Sequence, residues 1–128
     1  MFAHSPRIAF LGIGLMGTPM TRNLLDAGFS MTLWNRTTSK CEPFASEATI
    51  AGTPAEAVAE ADIVIAMLEN GQVVDDVLVK QGAMAAVKPG ALVIDMSSVQ
   101  PSLARQHAEL AAEQGVGYVD APVSGGTV

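Results

Sequence analysis

The chain has 128 residues, 49% of them apolar, one cysteine and a formal net charge of −6. That length suits one domain around one core. The acidity argues against nucleic acid or an anionic membrane as a partner, so a phosphate site must rest on local backbone dipoles and one or two arginines.

The elements alternate strand and helix from end to end. Residues 7–11 (Arg-Ile-Ala-Phe-Leu) read as a buried strand, and Gly12-Ile13-Gly14-Leu15-Met16-Gly17 follows it directly. A helix is expected over residues 17–27, with Met16, Met20 and Leu24 as its core stripe, Pro19 in its first turn and Gly28 as its stop. Residues 31–34 form the second strand and residues 38–47 a helix, with Cys41 half-buried near its start. Thr49-Ile50 is a short third strand, and Thr53 caps a short helix over 54–61.

The continuous apolar run 62–68 reads as a strand buried on both faces. A helix over 72–79 follows, with Val73, Val74, Val77 and Leu78 on one side. After the turn Lys88-Pro89-Gly90 come a strand over 91–95, a helix over 101–114 and a last strand over 117–120. The pattern predicts an α/β Rossmann fold: a doubly wound, mainly parallel sheet of about six strands with helices on both faces. The order 3-2-1-4-5-6 is taken from that fold's rule.

Between a strand and a helix, Gly-x-Gly-x-x-Gly is a dinucleotide-binding fingerprint. Gly12 permits the tight turn, Gly14 lets a pyrophosphate approach the backbone, and Gly17 lets the helix pack against the strand. Helix-start amides and the helix dipole then face the phosphates. The competing reading is an ordinary Gly-rich turn.

The end of the second strand selects the cofactor. A carboxylate there suits the ribose hydroxyl of NAD. This chain has Asn35-Arg36-Thr37-Thr38, whose guanidinium and hydroxyls suit a 2′-phosphate, so NADP is expected, with NAD as the alternative. These residues also suit capping of the following helix. Met67-Leu68-Glu69-Asn70 and Asp95-Met96-Ser97-Ser98 both leave strands at the carboxyl edge, where ligands bind. Asn70 fits either a cofactor contact or a turn. Ser97 and Ser98 fit either the nicotinamide end or the start of the next helix.

His4 and His107 are expected in solvent, as is the Glu109/Glu113 pair. No Ser–His–Asp, Cys–His or paired-carboxylate arrangement can be argued, and one cysteine excludes a disulfide within the chain and a thiolate zinc site. No catalytic or metal-binding residue is therefore assigned. No run nears the roughly 18 apolar residues of a membrane span. Residues 1–6 lack signal-peptide features, so a cytoplasmic location is expected. Asp120-Ala121-Pro122-Val123-Ser124-Gly125-Gly126 opens a second Gly-rich loop whose amides and hydroxyl suit a carboxylate.

Three ordered strings together resemble the β-hydroxyacid dehydrogenases: residues 10–20, Asp95-Met96-Ser97-Ser98, and residues 120–126. That family includes 3-hydroxyisobutyrate dehydrogenases and tartronate semialdehyde reductases, and is related to 6-phosphogluconate dehydrogenases and imine reductases. The resemblance implies that Gly12 to Gly17 bind pyrophosphate and that Asn35, Arg36 and Thr37 meet the adenosine end. It implies that Ser97 or Ser98 lies near the nicotinamide and that Ser124, Gly125 and Gly126 hold a small carboxylate substrate; Met67, Leu68 and Asn70 are expected along the cofactor from their place at the carboxyl edge. Members carry a catalytic lysine beyond that loop and a helical C-terminal domain that completes the site and the dimer. Lys40, Lys80 and Lys88 do not match that lysine. The resemblance thus implies a cofactor domain that is inactive alone and a homo-oligomer formed through the further domain. A stand-alone nucleotide-binding module and an imine reductase are the alternatives.

Overall fold

In the computed structural model, which describes residues 5–123, strand β1 (Arg7–Leu11) is central because its apolar side chains serve two cores. Alternate residues point to opposite faces. Ala9 and Leu11, with Val64, Ala66 and Val93, enter one cluster. Ile8 and Phe10, with Met31, Leu33 and Ile65, enter the other. The strands carrying these residues are β2 (Ser30–Trp34), β4 (Ile63–Ala66) and β5 (Leu92–Asp95), with β3 (Thr49–Ile50) and β6 (Gly117–Asp120) at the edges. The sheet runs β3-β2-β1-β4-β5-β6 and every pairing is parallel. This is the expected doubly wound Rossmann sheet. Its order reverses beside β1, so a crevice opens at the carboxyl ends of β1, β2 and β4.

Helix α1 (Gly17–Asp26) packs Met20 and Leu24 on the second cluster. Met16 does not join that stripe; it precedes the first helical turn and is 39% exposed. The helix expected over 38–47 is a 3-10 segment, Thr38–Phe44. Pro43 inside it lacks the N–H an α-helix needs, and Lys40 and Ala45 bond to carbonyls three residues back. Cys41 in this segment is fully buried, not half-buried, and burial pushes its thiol pKa up.

Helix α2 (Pro54–Val58) is capped by Thr53, whose hydroxyl accepts from the Glu56 N–H at 3.1 Å, but it ends three residues earlier than expected. Helix α3 (Gly71–Asp75) widens into a π turn, Asp76–Lys80. Gly82, at φ +79°, then reverses the chain into a further helix, α4 (Ala83–Ala86), whose four residues are too few to carry a periodic signal in the sequence. Helix α5 (Pro101–Glu113) buries Ala104, His107 and Ala111. His107 is thus a core residue rather than a solvated one, because it shares the inward stripe of two alanines. Its Nε2 lies 2.9 Å from Asp75 Oδ1 and joins α5 to α3. Glu109 and Glu113 face solvent as expected.

Candidate functional site

The turn after β1 is built by steric exclusion. Gly12 sits at φ +106°, and a Cβ there would collide with the Met67 carbonyl oxygen. A Cβ on Gly17 would collide with the Gly12 carbonyl oxygen, so α1 starts hard against the strand. Around Gly14 nothing lies within 4 Å of a Cβ position. Two glycines are therefore needed for packing, and the third leaves open space over the backbone. The Thr18 N–H closes the first helical bond to Gly14 O at 3.0 Å. Amides ahead of Thr18 are those a helix start leaves for an anion.

Asn35, at the tip of β2, braces this turn. Its Oδ1 accepts from the Ile13 N–H at 2.9 Å, and its Nδ2 donates to the Thr37 carbonyl at 3.0 Å. Ile13 is fully buried and its amide is already engaged. Asn35 and Ile13 therefore shape the loop.

A cleft of about 220 Å3 lies over the turn. Gly12, Ile13 and Gly14 form its floor; Trp34, Asn35, Arg36, Thr37 and Lys40 form the β2 side. Met67, Leu68 and Glu69 continue on the β4 side into Val73 of α3, Asp76 and Val77 of the π turn, and Gln81 just after it. Arg36 Nη2 reaches Glu69 Oε1 at 3.4 Å across the mouth. Gln81 Nε2 donates to Asp76 Oδ2 at 2.6 Å. The cleft thus offers a bare glycine backbone, two cations on one wall, and on the other an apolar strip that also carries the Glu69 and Asp76 carboxylates.

Other residues expected at the site lie around this cleft. Leu15, at 89% exposure, and Met16 stand at the start of α1, outside the lining. Ser98 and Asn70 line an adjoining depression with Gly71, Gln72, Gln100 and Leu103. Asn70 is engaged as the cap of α3, its Oδ1 accepting from the Val73 N–H at 3.0 Å. Ser97 lies beneath the surface, fully buried. Its Oγ accepts from the Leu68 N–H at 2.8 Å, and its own N–H donates to Asp95 Oδ1 at 3.0 Å. Ser124, Gly125 and Gly126 fall outside the described residues.

Asp95 anchors this buried network. Burial raises its carboxyl pKa, against the lowering effect of hydrogen bonds from Ser97 and Tyr118. Tyr118 donates its hydroxyl to Asp95 Oδ2 at 3.1 Å. Burial, with the Asp95 charge beside it, pushes the phenol well above its usual range. The network ties β5 and β6 to the β4 loop that forms one side of the cleft.

Lys40, Val73, Val77 and Gln81 line the cleft but were not anticipated as site residues. A usable signal was present for the valines: Val73 and Val77 share one helical face after β4. Among the described residues, no group of three His, Cys, Asp or Glu side chains is placed to hold a metal ion. No helix among them is long and apolar enough to cross a membrane.

Residues 7–128 match the family model of the NAD binding domain of 6-phosphogluconate dehydrogenase. The chain belongs to that family. Within it, this NAD-binding domain is of the β-hydroxyacid dehydrogenase type. It is 40% identical over 121 residues to the cytokine-like nuclear factor N-PAC of Xenopus tropicalis, covering 93% of this chain and 23% of that protein. It is 41% identical over 123 residues to an NAD-dependent L-serine dehydrogenase of Pseudomonas aeruginosa, covering 94% and 41%. The solved structure of Mycobacterium tuberculosis 3-hydroxyisobutyrate dehydrogenase with L-serine superposes with a TM-score of 0.86 at 39% identity, covering 96% and 42%. An imine reductase of Myxococcus stipitatus in complex with NADP+ has a TM-score of 0.80 at 31% identity, covering 88% and 39%. The domain therefore spans less than half the length of each of these proteins.

Proposed function

We propose that this domain binds NADP(H) in preference to NAD(H). It serves an oxidoreductase that moves hydride between nicotinamide and a small 3-hydroxy acid or semialdehyde acid. The observation that carries the cofactor preference is the β2 wall of the cleft. Asn35, an uncharged amide, stands at the β2 tip where a ribose-binding carboxylate would otherwise sit, and Arg36 and Lys40 stand beside it on the same wall.

In this reading the amides after Gly14 receive the diphosphate, and Arg36 with Thr37 meets the adenosine 2′-phosphate. Val73 and Val77 give an apolar surface for the adenine. The buried Asp95–Ser97–Leu68 chain fixes the loop under the dinucleotide, and Ser98 and Asn70 border its nicotinamide half. Ser124, Gly125 and Gly126 take the substrate carboxylate. The bound cofactor supplies the hydride chemistry; the protein supplies orientation and electrostatics. A lysine general acid comes from outside these 128 residues, so the domain alone binds without turnover.

The test is isothermal titration of the chain with NADPH and NADH, beside an NADPH-oxidation assay with tartronate semialdehyde. Tighter NADPH binding without turnover supports the proposal; tighter NADH binding, or turnover, contradicts it. One relative is named a nuclear factor rather than a dehydrogenase, which keeps a second reading in play, a nucleotide-binding module with no reaction of its own. Turnover of hydroxy acids by the full-length protein would exclude it, and turnover of cyclic imines instead would favour an imine reductase.

A further inference from the structure

The ion pair at the cleft mouth has a geometry that bears on cofactor choice. Arg36 follows the tip of β2 and Glu69 follows the tip of β4, so the two flank β1 and its glycine turn from opposite sides. Their side chains meet at 3.4 Å above the cleft. Both are about three-quarters exposed, at 73% and 72%, so neither is needed to fill the core. Glu69 is the carboxylate paired with Arg36, and it comes from the β4 side, whereas Asp76 in the same cleft is held by Gln81.

We propose that Glu69 is a specificity-determining residue, competing with a 2′-phosphate for the Arg36 guanidinium and so limiting how strongly the site favours NADP(H) over NAD(H). This rests on the reading that Arg36 meets the adenosine end. The physical basis is competition for one guanidinium. A phosphate that takes Arg36 must displace the Glu69 carboxylate and then lie near its charge. A ribose that carries only a hydroxyl does neither, and can donate to the carboxylate instead. An exposed pair is weak, so the competition modulates the preference without abolishing it.

The experiment is isothermal titration of the full chain with 2′,5′-ADP and with 5′-AMP, which differ only in the 2′-phosphate. The wild type and Arg36→Ala establish whether the underlying reading holds: 2′,5′-ADP should bind tighter than 5′-AMP, and Arg36→Ala should remove the difference. If those two proteins show no such difference, the reading of Arg36 fails, and this inference fails with it. If they do show it, Glu69→Gln decides the inference alone. The expected result is 2′,5′-ADP binding about threefold to tenfold tighter, with 5′-AMP within about twofold of wild type or weaker. Glu60→Gln removes the same charge beside Arg7, at the amino end of the sheet, and should change neither ligand. An unchanged ratio in Glu69→Gln, or an equal gain in Glu60→Gln, overturns the proposal.

Discussion

The Ile13 N–H donates to Asn35 Oδ1 at 2.9 Å, across 22 residues of sequence. That bond joins the glycine turn of β1 to the tip of β2, so the loop proposed for the diphosphate and the wall proposed for the adenosine move as one piece. A dinucleotide spanning both meets a preorganised surface.

Asn35→Asp tests this brace and the cofactor reading together. The carboxylate still accepts from Ile13 but loses the bond that Nδ2 donates to the exposed Thr37 carbonyl, so a loss of about 1 to 2 kcal/mol is expected, with the fold retained. It also places a negative charge opposite a 2′-phosphate. Titration should show NADPH binding weakened by at least about tenfold and NADH binding held or improved.

The glycines should separate folding from binding. Gly12→Ala forces a Cβ into the Met67 carbonyl at a positive φ, and should cost about 2 kcal/mol or more in chemical denaturation. Gly14→Ala meets open space and should stay within about 1 kcal/mol of wild type. Its methyl group occupies the phosphate approach, so NADPH affinity should fall about tenfold or more.

Arg36→Ala should lower NADPH affinity about tenfold to a hundredfold and NADH affinity by less than about threefold, because a charge-assisted contact to phosphate is lost from one ligand only. Equal losses would mean that Arg36 does not meet the 2′ position.

The sequence made the sheet legible because central strands buried on both faces read as unbroken apolar runs. The glycine turn was legible because its steric demand is local. The polar contacts were not, because each depends on a partner brought in by the fold. Asn35 reads as a cap or a cofactor ligand until β2 is set beside β1. Ser97 reads as a nicotinamide contact or a helix start until the Leu68 amide is placed beside it. His107 misled because Ala104 and Ala111, its neighbours on the buried face, are small and mark that face weakly. The π turn and α4 escaped notice because short segments are set by packing rather than by propensity.

Tyr118 is the chain's single tyrosine, so its ionisation can be followed without overlap from another phenol. Burial and the Asp95 carboxylate raise its pKa in the folded state. The folded protein therefore holds the phenolic proton when the unfolded chain releases it, near pH about 10. Stability is unaffected below that value and falls as pH rises above it. The denaturation midpoint of wild type should drop over this alkaline range more steeply than that of Tyr118→Phe, and phenolate absorbance should appear only with unfolding.

The central claim is that the open backbone at Gly14 and the Arg36 wall form one dinucleotide site. The most direct measurement is a two-dimensional amide NMR titration of the chain with NADPH. The account predicts the largest shifts at Gly14, Leu15, Met16 and Gly17, together with Arg36 and Thr37, saturating along one binding curve. Shifts confined to other surfaces, with the Gly14 amide unmoved at saturation, would contradict it.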